Sequence, residues 1–146
     1  MAEVSAEARI AAPAAKVWAQ LVDLGGQARW NATHTGFPED DGPTTLGPGA
    51  RYRENLRLMG FPAEVTWQVD EFETGRLLGV HGEGPMGVRL GSRYLLTPDG
   101  EATLVRIEGE FTGAAVSLMA GRIRESATEA LQESLRRLAE LPGLNP

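Results

Sequence analysis

Residues 114–141 read AAVSLMAGRIRESATEALQESLRRLAEL, and this stretch decides the fold. Apolar side chains recur there at spacings of three and four residues, at positions that include Val116, Ile123 and Ala127, which is the period of an amphipathic helix. Pro142 ends the pattern, because the residue before a proline disfavours helical geometry. A helix over Ala114–Leu141 would be about 42 Å long, enough to cross a whole antiparallel sheet.

The segments before this helix predict the sheet that it covers. Pro13 suits the first turn of a helix that ends near Leu24, and Gln27–Trp30 is predicted as one more helical turn. Connections of only a few residues join the later strand-like segments, so these pair antiparallel, since a parallel crossover needs a dozen residues or more. The sequence thus predicts an α+β fold: a curved six- to seven-stranded antiparallel sheet wrapped on a long C-terminal helix, with two short helices after strand 1. The predicted strands cover Glu3–Ile10, a short Thr33–Phe37, Ala50–Met59, Ala63–Phe72, Arg76–Glu83, Val88–Thr97 and Ala102–Thr112.

Composition limits the function classes. The chain of 146 residues carries a formal net charge of -6 and no cysteine, which disfavours nucleic acid as a partner and excludes disulfides and thiolate chemistry. No apolar run is long enough for stable membrane insertion or a secretory leader. We therefore expect a single cytoplasmic domain over residues 1–146, either a monomer or a homodimer, with a surface loop over Phe37–Gly49.

The predicted architecture implies a cavity. A strongly curved sheet touches a straight helix along only part of its length, and the two short helices can close one end of the gap. The first part of the terminal helix, residues 114–121, is small and apolar, whereas the second part carries Leu131, Leu135 and Leu138. Small residues leave room, so the first part is expected to face the cavity.

Several segments together resemble a known superfamily. These are AAPAAKVWAQLVDL at residues 11–24, ARWN at 28–31, LGPGARYR at 46–53, VTWQVDEFETGRLLGV at 65–80 and SRYLLTPDGEATLVRIEGEF at 92–111. In this order, before a long terminal helix, they resemble the SRPBCC (START/Bet v 1-like) superfamily and, within it, the polyketide cyclase/dehydrase-like branch. The resemblance implies a helix-grip fold around a cavity for a small, largely apolar ligand. Members include carriers and aromatase/cyclases, and they share no single catalytic set to transfer to this chain.

Sorting strand residues by parity singles out Glu54. It shares a face with the apolar Tyr52, Leu56 and Leu58, and burying a carboxylate there is costly unless it is hydrogen-bonded or protonated. Glu54 is therefore a candidate general acid or base, with Tyr94 as the second candidate catalytic residue. The alternative is that Glu54 lies at the rim of the sheet, or that a bulge shifts the parity.

The same sorting gives the candidate ligand-binding residues. Trp30, next to Asn31 and His34, falls where the short helices meet the sheet, and either gates the cavity or simply plugs the core. His81 is expected outside, and the outward arginines are expected to pair with acidic residues across strands. The predicted ligand-binding residues are Trp30, Tyr52, Leu56, Trp67, Val80, Ser92, Ile107, Val116, Met119, Ala120 and Ile123.

Other motifs carry no chemistry here. Gly82–Gly87 spells G-x-G-x-x-G, but strand-like sequence follows it where a dinucleotide site needs a helix. Two histidines and no cysteine give no metal-site pattern, so neither metal nor cofactor is expected. Two functions remain open: a carrier of a hydrophobic aromatic, polyketide-like or lipidic molecule, or an enzyme that cyclises, dehydrates or isomerises a polyketide-like substrate in the same cavity. A weaker third is a protein-interaction module.

Overall fold

A computed structural model describes residues 2–38, 45–142 and 144, apart from the side chain of Leu58. Short turns separate most elements, and one-turn 3-10 helices occur at Leu24–Gly26 and Pro85–Gly87. The elements are β1 (Ala2–Ile10), α1 (Ala14–Val22), α2 (Gln27–Trp30), β2 (His34–Gly36), β3 (Arg51–Leu58), β4 (Phe61–Glu73), β5 (Leu77–Glu83), β6 (Arg89–Asp99), β7 (Ala102–Thr112), α3 (Ala114–Leu118) and α4 (Ala120–Ala139).

The strands of the described residues form one seven-stranded sheet in the order β1-β7-β6-β5-β4-β3-β2, and every neighbouring pair is antiparallel. Four hairpins build β3 to β7, so these strands lie side by side in chain order. The helices α1 and α2 carry the chain from β1 at one edge to β2 at the other. α4 packs mainly against β1 and also touches α2. The predicted helix-grip architecture is confirmed.

The inner face of the sheet follows the predicted parity. Val65, Trp67 and Val69 of β4 are buried, as are Val105 and Ile107 of β7. These side chains join the core between the sheet and α4, together with aliphatic residues of α1. A register shift between Val69 and Glu71 changes the alternation late in β4, so the parity holds along the hairpins up to that point.

The terminal helix corrects one prediction. Instead of one helix over Ala114–Leu141, α3 and α4 meet at Met119, whose φ of -127° and ψ of 20° lie outside the helical range. Gly121 and the β-branched Val116 stand close to this break, and both residue types have low helix propensity. Val116 and Ile123 pack with Ala2 in a separate apolar cluster.

Two connections also differ from the prediction. The β3–β4 turn consists of Met59 and Gly60, both with positive φ, the geometry of a two-residue hairpin turn that matches strand twist, so β4 begins at Phe61. The predicted surface loop over 37–49 falls partly outside the described residues. Its last part is anchored, since the Leu46 N–H donates to the Val22 carbonyl at 2.8 Å and the Leu46 side chain is buried.

Candidate functional site

A cavity lies between the inner face of the sheet, α2 and α4. Its volume is about 90 Å³, which leaves room for several water molecules. Most of its walls are apolar, and the polar groups come mainly from α2, β3, β4, β6 and α4.

Nine predicted site residues line this cavity. The hairpins fix strand register, so the parity argument placed the strand residues on the correct face. They are Trp30, Tyr52, Glu54, Leu56, Trp67, Val80, Ser92, Tyr94 and Ile107.

Four predicted ligand-binding residues do not line it, which corrects the expectation for the terminal helix. Val116, Met119, Ala120 and Ile123 belong to the separate apolar cluster at the α3–α4 junction. The cavity is instead lined by a stripe one to two turns further along α4, comprising Ala127, Ala130, Leu131 and Ser134. The sequence does indicate which residues of α4 line the cavity, because alanine at 127 and 130 leaves room and Ser134 interrupts an apolar face.

Ser134 connects α4 to the short helices. Its hydroxyl accepts a hydrogen bond from the Ala32 N–H at 2.9 Å. Nearby, the Asn31 side-chain amide donates to the Gln27 side-chain carbonyl at 2.7 Å, and the Asn31 carbonyl oxygen accepts from Thr33. Ser134 and Gln27 are not among the residues predicted from the sequence. Their hydrogen bonds fix one end of the cavity, so some of the polar groups that line it already have partners.

Glu54 is the only charged residue among the described residues that line the cavity. The whole residue is 4% exposed. The Trp67 indole N–H donates to Oε1 at 3.0 Å, and His34 Nδ1 donates to Oε2 at 2.6 Å. Each carboxylate oxygen therefore has a donor, the condition under which a buried carboxylate is tolerated. The alternatives in which Glu54 lies at the rim or outside are wrong.

His34 reaches Glu54 through strand register. His34 pairs with Leu56 across β2 and β3, so Glu54 is its diagonal neighbour, within reach of a long side chain. The Phe37 ring lies against the imidazole with centroids 4.7 Å apart, and the His34 side chain is buried. The sequence placed His34 at the cavity mouth but did not predict its bond to Glu54.

The chain has two tyrosines, Tyr52 and Tyr94, and both line the cavity. Burial raises the pKa of each phenol well above its ordinary value, and the negative charge of Glu54 raises both further. Both hydroxyls thus stay protonated at neutral pH. Within the described residues neither hydroxyl has a hydrogen-bond partner.

Trp30 is 1% exposed, and its ring stands edge-on to that of Tyr94, with centroids 6.2 Å apart and an interplanar angle of 88°. Its indole N–H is buried and has no hydrogen-bond partner in the part of the chain that the structure describes. The residue fills core space and lines the cavity, and its role as a gate stays a prediction.

The outer face of the sheet is a network of charge pairs, as predicted. His81 is exposed and bonds Asp70 at 3.0 Å, while Arg93 contacts Glu71 and Glu108. Among the described residues no group of three or more His, Cys, Asp or Glu side chains has an arrangement that could hold a metal ion. No described helix has the length and hydropathy needed to cross a membrane.

The chain matches one family model and is similar to several solved structures. A family model described as "Polyketide cyclase / dehydrase and lipid transport" matches residues 1–141. No protein with curated annotation matches the sequence. Among solved structures, protein CV1439 from Chromobacterium violaceum is similar, with a TM-score of 0.76, 17% identity and coverage of 99% of this chain and 100% of that one.

Two other solved structures share the fold. TTHA0849 from Thermus thermophilus has a TM-score of 0.73 and 22% identity, covering 94% of both chains. A START superfamily protein from Mycobacterium smegmatis has a TM-score of 0.66 and 19% identity, covering 93% of this chain and 98% of that one. At these identities the likeness establishes the architecture alone.

Proposed function

The chain belongs to the polyketide cyclase/dehydrase and lipid transport family, and on that premise we propose that it binds a small, largely apolar molecule in the cavity between the sheet and α4. One observation carries the proposal: an internal space with mainly apolar walls surrounds a carboxylate whose two oxygens already have donors. Such a site combines apolar area for affinity with a few polar groups for orientation.

The volume narrows the ligand class. The volume of about 90 Å³ is below that of an engineered apolar cavity of about 150 Å³ that binds benzene, so it suits a molecule with no more than one ring. A long-chain lipid or an extended polyketide would require the walls to move apart. Among the ligands considered from the sequence, we therefore favour a compact aromatic molecule.

The experiment compares ligand binding in a cavity-filling variant and a matched surface variant. Ala130→Leu adds three carbon atoms to the cavity lining, whereas Gln132→Leu places the same side chain on the exposed face of α4. We expect calorimetric titration with toluene to show binding to the wild type and to Gln132→Leu, and none to Ala130→Leu. Native mass spectrometry of protein purified from its host would show whether a small molecule accompanies it. Equal toluene binding by all three proteins would place the ligand elsewhere.

A second candidate function is catalysis in the same cavity. It is favoured by a carboxylate that lies close to two tyrosines kept neutral by burial, the arrangement needed to remove a proton beside a carbonyl while a hydroxyl stabilises the enolate. In this candidate function Glu54 is the base and Tyr94 the donor, and the reaction is a cyclisation, dehydration or isomerisation. Product formation from a polyketide-type substrate, lost in Glu54→Gln while binding persists, would favour the enzyme. Recovery of the bound molecule unchanged would favour the carrier.

A further inference from the structure

One residue of the cavity wall, Trp30, has a buried donor without an acceptor in the described part of the chain. The Trp30 indole nitrogen only donates hydrogen bonds, and it is buried without a partner among the described residues. Nearly all buried polar groups in folded proteins are hydrogen-bonded, so an orphan of this kind calls for an explanation such as an absent ligand or water. Because Trp30 lines the cavity, the missing acceptor is expected to come from the molecule that fills it.

Tyr94, whose ring neighbours that of Trp30, has a second donor. Its ring is in edge contact with Trp30, and its hydroxyl has no hydrogen-bond partner within the described residues. Burial and the Glu54 charge raise the pKa of Tyr94, so the hydroxyl keeps its proton and can donate. A carbonyl oxygen has two lone pairs and can accept from both groups.

The charge of the cavity sets a limit on the ligand. No lysine or arginine occurs among the described residues that line it, and Glu54 is acidic. The positive partner that a carboxylate ligand would need is therefore missing, and Glu54 would repel it at close range. The acceptor must be neutral.

We infer that the ligand carries a neutral carbonyl-type oxygen, as in a ketone, aldehyde or quinone, and that the Trp30 N–H and the Tyr94 hydroxyl bind this oxygen while carboxylate ligands are rejected. The inference rests on the proposed function, since it names the chemical class of the molecule in the same cavity. It assigns the orienting role to Trp30 and Tyr94, and it leaves Glu54 free of direct ligand binding.

Three probes of nearly equal shape test it. Acetophenone carries the carbonyl oxygen, α-methylstyrene has a CH₂ group in its place, and benzoate carries a charge. We expect the wild type to bind acetophenone up to about tenfold more tightly than α-methylstyrene, the effect of one or two net hydrogen bonds, and to bind benzoate most weakly. Tyr94→Phe should reduce the preference for acetophenone and leave the affinity for α-methylstyrene unchanged.

A second measurement needs no variant. In ¹⁵N-labelled protein the indole N–H signal of Trp30, assigned through its own backbone, should move downfield with acetophenone and not with α-methylstyrene. Equal affinity for the two neutral probes, with the Trp30 signal unmoved, would overturn the inference and leave the proposed function standing. Tighter binding of benzoate than of acetophenone would also overturn it. If neither neutral probe binds, the proposed function itself fails, and the inference fails with it.

Discussion

The hydrogen bond between His34 and Glu54 should make the free energies of removing either side chain strongly non-additive. Glu54→Leu leaves two buried groups without an acceptor, the Trp67 N–H and His34 Nδ1. Each unsatisfied buried group costs about 1–3 kcal/mol, and the leucine recovers part of this by burying apolar surface, so we expect a loss of about 3 kcal/mol. His34→Phe leaves Oε2 of a buried carboxylate unpaired and should cost about 2–3 kcal/mol.

The double variant Glu54→Leu/His34→Phe should be more stable than the sum of the single losses by about 1–3 kcal/mol, because the second substitution removes the group that the first left unpaired. Glu54→Gln should cost less than Glu54→Leu, because its amide oxygen still accepts from Trp67. Urea unfolding at neutral pH gives each free energy of unfolding from the midpoint and the slope. A common slope across the series would show that the denatured states are comparable.

A second histidine–carboxylate pair in the same sheet provides the control. His81 and Asp70 are also within hydrogen-bond distance, at 3.0 Å, but their side chains are 55% and 46% exposed, and exposed ion pairs contribute about 0–1 kcal/mol. The cycle Asp70→Leu/His81→Phe should therefore show a coupling energy below about 0.5 kcal/mol. Equal coupling in the two cycles, or additive losses at positions 34 and 54, would show that burial does not strengthen the His34–Glu54 bond.

Three further predictions follow from burial and charge. The raised pKa values of Tyr52 and Tyr94 keep protons on the folded protein. Tyrosinate absorbance should therefore be absent near pH 10 while the protein is folded, and stability should fall as pH rises beyond that point. Ionisation of either tyrosine at the ordinary pKa would contradict this burial. Gly82→Ala would place a Cβ 2.7 Å from the Trp67 ring and should lower the free energy of unfolding in urea by about 1–3 kcal/mol. Gly36→Ala is the control and should have little effect, because a Cβ added at Gly36 would have no non-neighbouring atom of the described residues within 4 Å. Hydrogen bonds from Arg136 lower the pKa of Glu133 to about 2, so the small melting-temperature advantage of the wild type over Glu133→Gln should be present at neutral pH and disappear as pH falls from about 4.5 towards 2.

The strand parity could be predicted because short hairpins couple each strand to the next. Once β4 is assigned, the register of Tyr52 and Glu54 in β3 follows from the β3–β4 turn. The face of the sheet on which Glu54 lies could be predicted from this register, although a single bulge could have reversed it. A bulge does occur between Val69 and Glu71, and it separates the β4–β5 turn from Val80 of the cavity wall, so the register of β5 does not follow from that turn alone.

The remaining parts of the site depend on contacts between distant segments. β2 pairs with β3 only after an intervening loop and across a register irregularity at His34/Gly36, so local sequence did not predict the His34–Glu54 bond. The direction of α4 depends on the break at Met119 and on the apolar cluster with Ala2. Helical periodicity identifies an apolar face but not which turn lies over the sheet centre.

Three polar residues of the site form a line across three neighbouring strands, and a glycine of the next strand adjoins it. His34 of β2 contacts Glu54 of β3, and Trp67 of β4 donates to Glu54 from the other side. Gly82 of β5 pairs with Trp67, and its missing side chain leaves the space that the indole ring occupies. Rigid strands thus hold the carboxylate from both sides, as a preorganised site requires.

Folding alone does not need this line of polar groups, since well-packed apolar replacements for a buried polar pair are often neutral or stabilising. The Glu54→Leu/His34→Phe variant therefore separates the two roles. If it keeps most of the free energy of unfolding but loses the preference for acetophenone or the turnover, the polar line shapes the electrostatics of the cavity. If it keeps both, then Trp30 and Tyr94 orient the ligand without help from the carboxylate.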